Sequence, residues 1–298
     1  MTKTIAIITS DPESINYEIL KKSYFFFKKT KNKYILIGSK KNILFNIKKN
    51  KYTEIIDVKW DGFKNKKKYL KKSFDIFFQL YKKGKVHGLI NLPLDKKDFF
   101  NSRYPGVTEY ISQKINFSGK ETMLLFSKEF SVSPLTTHLK IKNISKNINI
   151  NKILNTMSNI DKFYKKFMKI SNPKIAILGL NPHNGHDFNF QTEENKIIIP
   201  AIKKFKKNKI IGPLSPDSSF LIRKIKKINC LIGLYHDQVL TTFKYIKKFS
   251  AINITLGLPF IRISPDHGTG KDILNKNIAN PESFLQCLKF FEKYHKSL

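Results

Sequence analysis

Arginine is almost missing from this basic sequence, in which three arginines (Arg103, Arg223 and Arg262) stand against 53 lysines. Its net charge of +34 would by itself indicate a nucleic-acid partner. Proteins that read nucleic acids, however, favour the guanidinium group, which binds phosphates and guanine through two parallel hydrogen bonds. The lysines also accompany abundant Asn, Ile and Phe, a residue set that an AT-rich genome over-uses. We therefore interpret the excess charge as a solvated surface and expect no nucleic-acid partner.

Cysteine and long apolar runs are also scarce. With only two cysteines, Cys230 and Cys287, a disulfide framework is not expected, which fits a reducing compartment. No stretch approaches the roughly 18 apolar residues of a membrane span, and the apolar run at Ile5–Ile8 is too short for a signal peptide. At 41% hydrophobic residues, the 298-residue chain can bury one large or two medium cores. The expectation is a soluble, cytoplasmic protein with no membrane partner.

Short apolar segments alternate with amphipathic ones along most of the chain. This alternation predicts an α/β protein with a largely parallel sheet. The predicted strands are 5–9, 34–38, 87–92, 122–126, 175–180 and 231–235. The predicted helices are 14–29, 66–83, 147–169, 193–207, 217–228 and 281–295.

Several common catalytic and nucleotide-binding motifs are absent. No Gly-x-Gly-x-x-Gly follows a strand, and there is no Gly-x-Ser-x-Gly elbow. The segment Gly268–Lys271 is not a phosphate-binding P-loop, because Pro265 occupies the upstream glycine position and Asp272 the Ser/Thr position. Neither cysteine has a partner at zinc-knuckle spacing, so both are interpreted as core residues.

Three of the seven histidines share one context. His138 follows Leu135-Thr136-Thr137, while His183 and His236 each follow a predicted strand. Open α/β sheets place their ligand crevice beyond the carboxyl ends of the strands, and three imidazoles with an open fourth position form a catalytic divalent-metal site. Spacing alone does not show that the three rings meet, and a histidine at the end of a strand is as often a solvent-facing residue.

Longer motifs carry a clear family resemblance. They are Thr136-Thr137-His138, Gly179-Leu180-Asn181-Pro182-His183-Asn184-Gly185, Gly212-Pro213 with Asp217, Tyr235-His236-Asp237-Gln238, the block 253–262 (Asn-Ile-Thr-Leu-Gly-Leu-Pro-Phe-Ile-Arg) and Asp266-His267-Gly268-Thr269. In this order they closely resemble the 4-hydroxythreonine-4-phosphate dehydrogenase (PdxA) family of vitamin B6 biosynthesis. The match is dense over 134–270 and thin before 86.

The resemblance implies two α/β/α domains similar to those of isocitrate and isopropylmalate dehydrogenases, with an active-site cleft between the domains. We place the first domain at 1–103 plus 271–298, and the second, carrying the metal and most substrate residues, at 104–270. The family further implies NAD (or NADP), one divalent metal per subunit (Zn, Mg or Co) and a homodimer with the active site at its interface. That fold binds NAD without the usual glycine fingerprint.

Residue by residue, the resemblance implies the following roles. His138, His183 and His236 hold the metal. Thr108, Lys244, Asn253 and Arg262 contact the substrate, and Asp217, together with Lys244, assists catalysis. Arg262 as a surface ion pair is the alternative interpretation of that residue. The implied reaction is NAD-dependent oxidation of 4-phosphooxy-L-threonine to 2-amino-3-oxo-4-phosphooxybutyrate, which decarboxylates to 3-amino-2-oxopropyl phosphate.

The chain departs from the family pattern in two places that matter for function. Val107 stands where a histidine is usual, which removes one substrate contact, and the segment 10–18 lacks the family's glycines. Two alternatives therefore stay open. One is a related dehydrogenase of a phosphorylated sugar acid of the threonate or erythronate type. The other is a decayed, non-catalytic paralogue.

Overall fold

A computed structural model describes residues 2–46, 50–100, 104, 106–188 and 191–298 of the chain. The predicted α/β class is confirmed, because strands and helices alternate through these residues. The strands are β1 (Thr4–Ile8), β2 (Lys33–Gly38), β3 (Thr53–Asp57), β4 (Gly88–Asn91), β5 (Thr122–Phe126), β6 (Ser131–Pro134), β7 (Ile175–Leu178), β8 (Ile210–Leu214), β9 (Cys230–Gly233), β10 (Ile252–Leu256) and β11 (Ile261–Pro265).

The α-helices vary from one turn to almost five. They are α1 (Asn16–Lys22), α2 (Lys40–Asn46), α3 (Lys66–Lys82), α4 (Lys96–Phe100), α5 (Val107–Lys114), α6 (Ile150–Phe163), α7 (Ile199–Lys204), α8 (Ser219–Lys226), α9 (His236–Lys247) and α10 (Glu282–Tyr294). None of the helices in the described ranges is both long and apolar enough to cross a membrane.

The chain divides into two compact units. Unit 1 comprises 1–107, 249–253 and 259–298, and its strands are ordered β3-β2-β1-β4-β11. Unit 2 comprises 108–248 and 254–258, and its strands are ordered β5-β6-β9-β7-β8. Residues 259–270, which the sequence-based boundaries assign to the second domain, group with unit 1. Arg103, at the proposed first boundary, lies outside the described residues, and those boundaries stay a prediction.

All six predicted strands form, within two residues of their expected ends, and the sheet is largely parallel as predicted. The exception among the pairs within each unit is β5–β6, which is antiparallel. The strands that the periodicity did not predict are polar or interrupted. In β6, for example, Ser133 is buried because its hydroxyl donates to the carbonyl of Met123, at 2.7 Å. Such a strand lacks the apolar run that identifies a buried strand.

The predicted helices are mostly too long, and four helices of the described residues, α2, α4, α5 and α9, were not predicted. The segment 147–169 forms α6 and then a π-helical turn, Tyr164–Met168, before Lys169 adopts a left-handed conformation at φ 58°. Helix α9 buries Val239, Leu240 and Phe243. Its two threonines and β-branched apolar residues lower helix propensity, so the sequence does not mark this helix clearly.

In unit 1, the glycine-free segment after β1 carries a buried ion pair. The segment turns through Ser10 at φ 56°, and Ser10 and Asp11 are fully buried. The Lys66 ammonium lies 2.7 Å from the Asp11 carboxylate, and both side chains are almost completely excluded from solvent. The departure from the family pattern is therefore packed into the core of unit 1.

Both cysteines are free and fully buried, as the sequence predicts. Burial raises the pKa of the Cys230 thiol to about 12. Because a thiolate is the reactive form, we expect neither cysteine of the native protein to react with an aromatic disulfide reagent at pH 8. Two thiols per chain are expected to react after denaturation in guanidinium. Rapid reaction of the native protein would contradict this burial.

Candidate active site

The candidate site lies at the carboxyl ends of three neighbouring parallel strands of unit 2. Strand β9 pairs in parallel with β6 on one side and with β7 on the other. His138 follows β6, His183 follows β7, and His236 is the first residue of α9 after β9. This arrangement brings three segments that are far apart in sequence to one edge of the sheet, where open α/β folds bind their ligands.

His138 and His236 lie side by side. Their ring centroids are 6.1 Å apart, and the rings are tilted by 38°. The Nδ1 atom of His236 lies 2.6 Å from the Asp237 carboxylate, and the Nδ1 atom of His138 lies 3.8 Å from the Glu109 carboxylate. Burial by itself would raise the pKa of Glu109, but its interactions with His138, together with hydrogen bonds from the backbone and from Thr137, outweigh this and lower the pKa.

His183 occupies a different setting, a short loop in which consecutive residues are left-handed. The φ angles are 48° for His183, 60° for Asn184 and 72° for Gly185. The imidazole is exposed, and its Nδ1 atom lies 2.6 Å from the Asp187 carboxylate, whose hydrogen bond raises the pKa of His183. The structure thus brings two of the three predicted ligands together and places the third on the neighbouring loop.

The donor chemistry of these histidines fits a divalent metal, although a complete metal site is not assembled. In all three rings, Nδ1 faces a carboxylate, as it commonly does in histidines that bind an ion through the other ring nitrogen. Two imidazoles bound to one tetrahedral zinc ion, at about 2.1 Å from each nitrogen, have ring centroids about 5 to 5.6 Å apart. The 6.1 Å spacing of His138 and His236 is about half an ångström wider than this, so the two rings are neighbours that have to approach slightly to share one ion. Within the described ranges, no group of three or more His, Cys, Asp or Glu is close enough to hold an ion.

Asp217 lies before α8, in electrostatic range of His183. Hydrogen bonds from the Ser215 side chain and from the Ser218 backbone N–H, the latter at 2.7 Å, lower the pKa of Asp217. The Asp217 charge in turn contributes to the raised pKa of His183. Asp217 is therefore an exposed carboxylate that stays ionised at neutral pH near one of the predicted metal ligands.

Two of the predicted substrate residues belong to unit 2. The Thr108 hydroxyl lies 3.4 Å from the hydroxyl of Thr255, which belongs to the motif 253–262. Lys244 is an exposed residue of α9, two turns after His236 and so about 12 Å further along the helix axis. Its cation therefore stands on the helix that begins at a predicted metal ligand.

The other two predicted substrate residues, Asn253 and Arg262, belong to unit 1. Arg262 is only 3% exposed, and its Nε donates a 2.6 Å hydrogen bond to the Asn91 side chain. The alternative interpretation of Arg262 as a surface ion pair is therefore wrong. The buried Oδ1 atom of Asn253 has no hydrogen-bond partner among the described residues. An unpartnered buried acceptor is costly, and a ligand donor would satisfy it.

The sequence interpretation missed the carboxylates that face the histidines. Asp187 is four residues after its histidine and Asp237 immediately follows its own, so this spacing was a usable signal. Glu109 is 29 residues from His138, and only the fold pairs them. It also missed Glu194, a buried carboxylate that accepts hydrogen bonds from the backbone N–H groups of Leu180 and Asn181 at 2.7 and 2.8 Å.

Comparison with protein families identifies the family of the chain. The family model of the pyridoxal phosphate biosynthetic protein PdxA matches residues 13–291. The chain belongs to the PdxA family. Its PdxA relatives include a 4-hydroxythreonine-4-phosphate dehydrogenase of Sulfurihydrogenibium sp., 36% identical over an alignment of 314 positions that covers 96% of each chain. An enzyme of the same name from Aquifex aeolicus is 31% identical, over an alignment that covers 98% of each chain.

Solved structures agree with the PdxA assignment at the level of the fold. A 4-hydroxythreonine-4-phosphate dehydrogenase from Klebsiella pneumoniae matches the whole of both chains with a TM-score of 0.80 at 24% identity. Isocitrate dehydrogenase from Methylococcus capsulatus matches 99% of this chain and 88% of its own with a TM-score of 0.54 at 11% identity. The predicted likeness to the isocitrate dehydrogenase fold is therefore confirmed.

Proposed function

We propose that the protein is a 4-hydroxythreonine-4-phosphate dehydrogenase that oxidises 4-phosphooxy-L-threonine with NAD or NADP and one divalent metal. One observation carries the proposal: in a chain of the PdxA family, two predicted metal ligands stand 6.1 Å apart beyond adjacent parallel strands. The proposed product, 2-amino-3-oxo-4-phosphooxybutyrate, carries a ketone β to its carboxylate and decarboxylates to 3-amino-2-oxopropyl phosphate. A cytoplasmic location stays a prediction from the low cysteine content.

In this proposal, His138, His183 and His236 hold the metal through Nε2. When bound, a divalent cation supplies Lewis-acid stabilisation of the substrate hydroxyl as it loses its proton. Glu109, Asp187 and Asp237 keep the Nδ1 sides of the three rings occupied and so orient them. Only a neutral imidazole binds a metal ion. Because the pKa of His183 is raised, its imidazole stays protonated to a higher pH than an ordinary histidine, and metal binding by His183 weakens correspondingly as the pH falls.

The remaining proposed residues bind the substrate or move its proton. The substrate carries a phosphate and a carboxylate, for which Lys244 and Arg262 provide cations. Thr108 and Asn253 supply neutral hydrogen bonds. The Asp217 carboxylate is ionised at neutral pH, so its oxygens could accept the proton of the substrate hydroxyl, and a bound nicotinamide would supply the hydride acceptor.

A turnover assay tests the proposed function and separates it from its alternatives. Protein loaded in turn with Zn²⁺, Mg²⁺ or Co²⁺ is expected to form NADH or NADPH from 4-phosphooxy-L-threonine, and a chelator is expected to stop the reaction. Faster turnover of phosphorylated threonate or erythronate would identify the sugar-acid dehydrogenase that Val107 suggests. A protein that oxidises none of these substrates with any of the metals would be the decayed paralogue.

Replacing Arg262 with lysine is expected to lower kcat/KM about 10²-fold. Lysine keeps the charge but cannot donate to Asn91 through Nε while binding an anion in two places, a loss of about 2–3 kcal/mol. Steady-state kinetics measures the effect, with Arg223→Lys as the control, because Arg223 lies over the Phe130 ring and has no proposed substrate role. Equal kcat/KM for wild type and Arg262→Lys would remove Arg262 from the substrate site.

We also propose that the protein is a homodimer. Helices α8 and α9 both pack against Phe130 and expose large apolar side chains, with Leu221 62%, Ile225 70% and Tyr245 84% accessible. Leu221 and Ile225 are one turn apart on α8 and so form one exposed apolar strip, and contiguous apolar surface is typical of contact surfaces. Sedimentation equilibrium is expected to give twice the 34.8 kDa chain mass.

A further inference from the structure

The His183 loop needs stabilising contacts from the rest of the fold, because its backbone adopts conformations of unfavourable energy. His183 and Asn184 both adopt left-handed conformations, which are uncommon for residues other than glycine even though Asn and His adopt them more often than most. Such conformations persist only where the surroundings over-determine them. Glu194 supplies one hold by accepting the N–H groups of Leu180 and Asn181, and Asn184 supplies another by donating to the Pro213 carbonyl at 3.1 Å.

Gln238 stabilises the loop in a different way, because its side chain links the segments that follow two strands. Its side-chain Nε2 donates to the carbonyl of Gly179 at 2.8 Å, and its Oε1 accepts the backbone N–H of Leu234 at 2.7 Å. Gly179 lies between β7 and His183, and Leu234 lies between β9 and His236. A single amide group, in the first turn of α9, therefore ties together the segments that carry two histidines.

We propose that Gln238 is a positioning residue, which holds the His183 segment at a fixed place relative to His236 and thereby sets the affinity of the site for a divalent metal. The inference rests on the proposed function, in which both histidines bind that metal. Gln238 itself touches neither the metal nor the substrate in this assignment. It acts through the two backbone groups to which it is bonded.

The variant Gln238→Glu tests the proposal with opposing expectations. Glutamate has the same shape and can still accept the Leu234 N–H, but it places an oxygen against the Gly179 carbonyl and loses that bond. Its added negative charge, taken alone, would strengthen the binding of a cation. Loss of positioning is instead expected to weaken binding 10- to 100-fold, the range found when partners of metal ligands are removed.

The measurement is the Kd for Zn²⁺ and Co²⁺, obtained by competition with a chelator on the full chain. Gln113→Glu is the matched control, because Gln113 is an exposed residue of α5 in the same unit and the charge change is identical. The absorption spectrum of Co²⁺ at saturation provides a second readout, which a general loss of stability would not shift. It is expected to change in Gln238→Glu and Gln238→Ala and to stay unchanged in Gln113→Glu.

The outcomes separate this inference from the proposed function. Wild-type protein that binds metal, with Gln238 variants whose Kd and Co²⁺ spectrum match wild type, would overturn the role of Gln238 and leave the proposed function standing. Wild-type protein that binds neither ion would contradict the metal in the proposed function and overturn both. Weaker binding and a shifted spectrum in both Gln238 variants, but not in the control, would establish the positioning role.

Discussion

Replacing His236 with alanine is expected to lower kcat/KM for oxidation of 4-phosphooxy-L-threonine by about 10³-fold or more. The variant removes one of three proposed ligands, and Lewis-acid stabilisation of the developing alkoxide is worth about 4 kcal/mol or more, with each tenfold in rate equal to about 1.4 kcal/mol. His138, whose ring lies 6.1 Å from that of His236, would lose its partner ligand. Steady-state kinetics with metal in excess measures the change.

His295→Ala is the matched control for this substitution. His295 follows α10 in unit 1, and its Nδ1 atom is bonded to the carbonyl of Glu292, so it has no part in the candidate site. Its removal is expected to leave kcat/KM within about twofold of wild type. A His236→Ala variant with turnover close to wild type would exclude this residue as a ligand, whereas equal losses in both variants would indicate damage to the fold.

Replacing Lys66 with methionine is expected to lower the free energy of unfolding by about 3–5 kcal/mol. The substitution leaves the fully buried Asp11 carboxylate without the ammonium that lies 2.7 Å from it. A buried carboxylate without a counter-charge destabilises the folded state by more than the intact ion pair stabilises it. Urea unfolding, followed by circular dichroism, measures the difference.

Two further variants make this stability test specific. Lys67→Met changes the exposed neighbour in α3 and is expected to alter the unfolding free energy by no more than about 0.5 kcal/mol. The double variant Lys66→Met/Asp11→Asn is expected to recover a large part of the loss, because the carboxylate that needs the cation is gone. A single Lys66→Met variant as stable as wild type would contradict the buried pair.

The fold was predictable wherever the sequence shows a continuous apolar run or a regular hydrophobic period. Strand β7 is a continuous, fully buried run of Ile, Leu and Ala, and β1 has the same character after its half-buried first residue, Thr4, so sequence alone identifies both. Strand β6 is buried as well, but it satisfies its serines through hydrogen bonds that only the folded chain provides. Helix α9 was missed although it carries His236, because its β-branched residues mask the helical period.

The candidate site was predictable in its residue types but not in its geometry. Motifs around His138, His183 and His236 mark the histidines, and the parallel order β6-β9-β7 places all three at one edge of the sheet. No pattern in the sequence shows that Glu109 faces His138 or that Gln238 bridges two segments, since both contacts depend on tertiary structure. The burial of Arg262 against Asn91 was likewise invisible, because it depends on the pairing of β11 with β4, which only the fold provides.

X-ray absorption at the zinc edge tests the central claim most directly. Protein carrying one equivalent of Zn²⁺ is expected to show nitrogen scatterers at about 2.0–2.1 Å together with the outer-shell scattering of three imidazole rings. That result would mean that His183 joins His138 and His236 on one ion. A spectrum that fits two imidazoles or fewer, or that requires sulfur ligands, would contradict a three-histidine site.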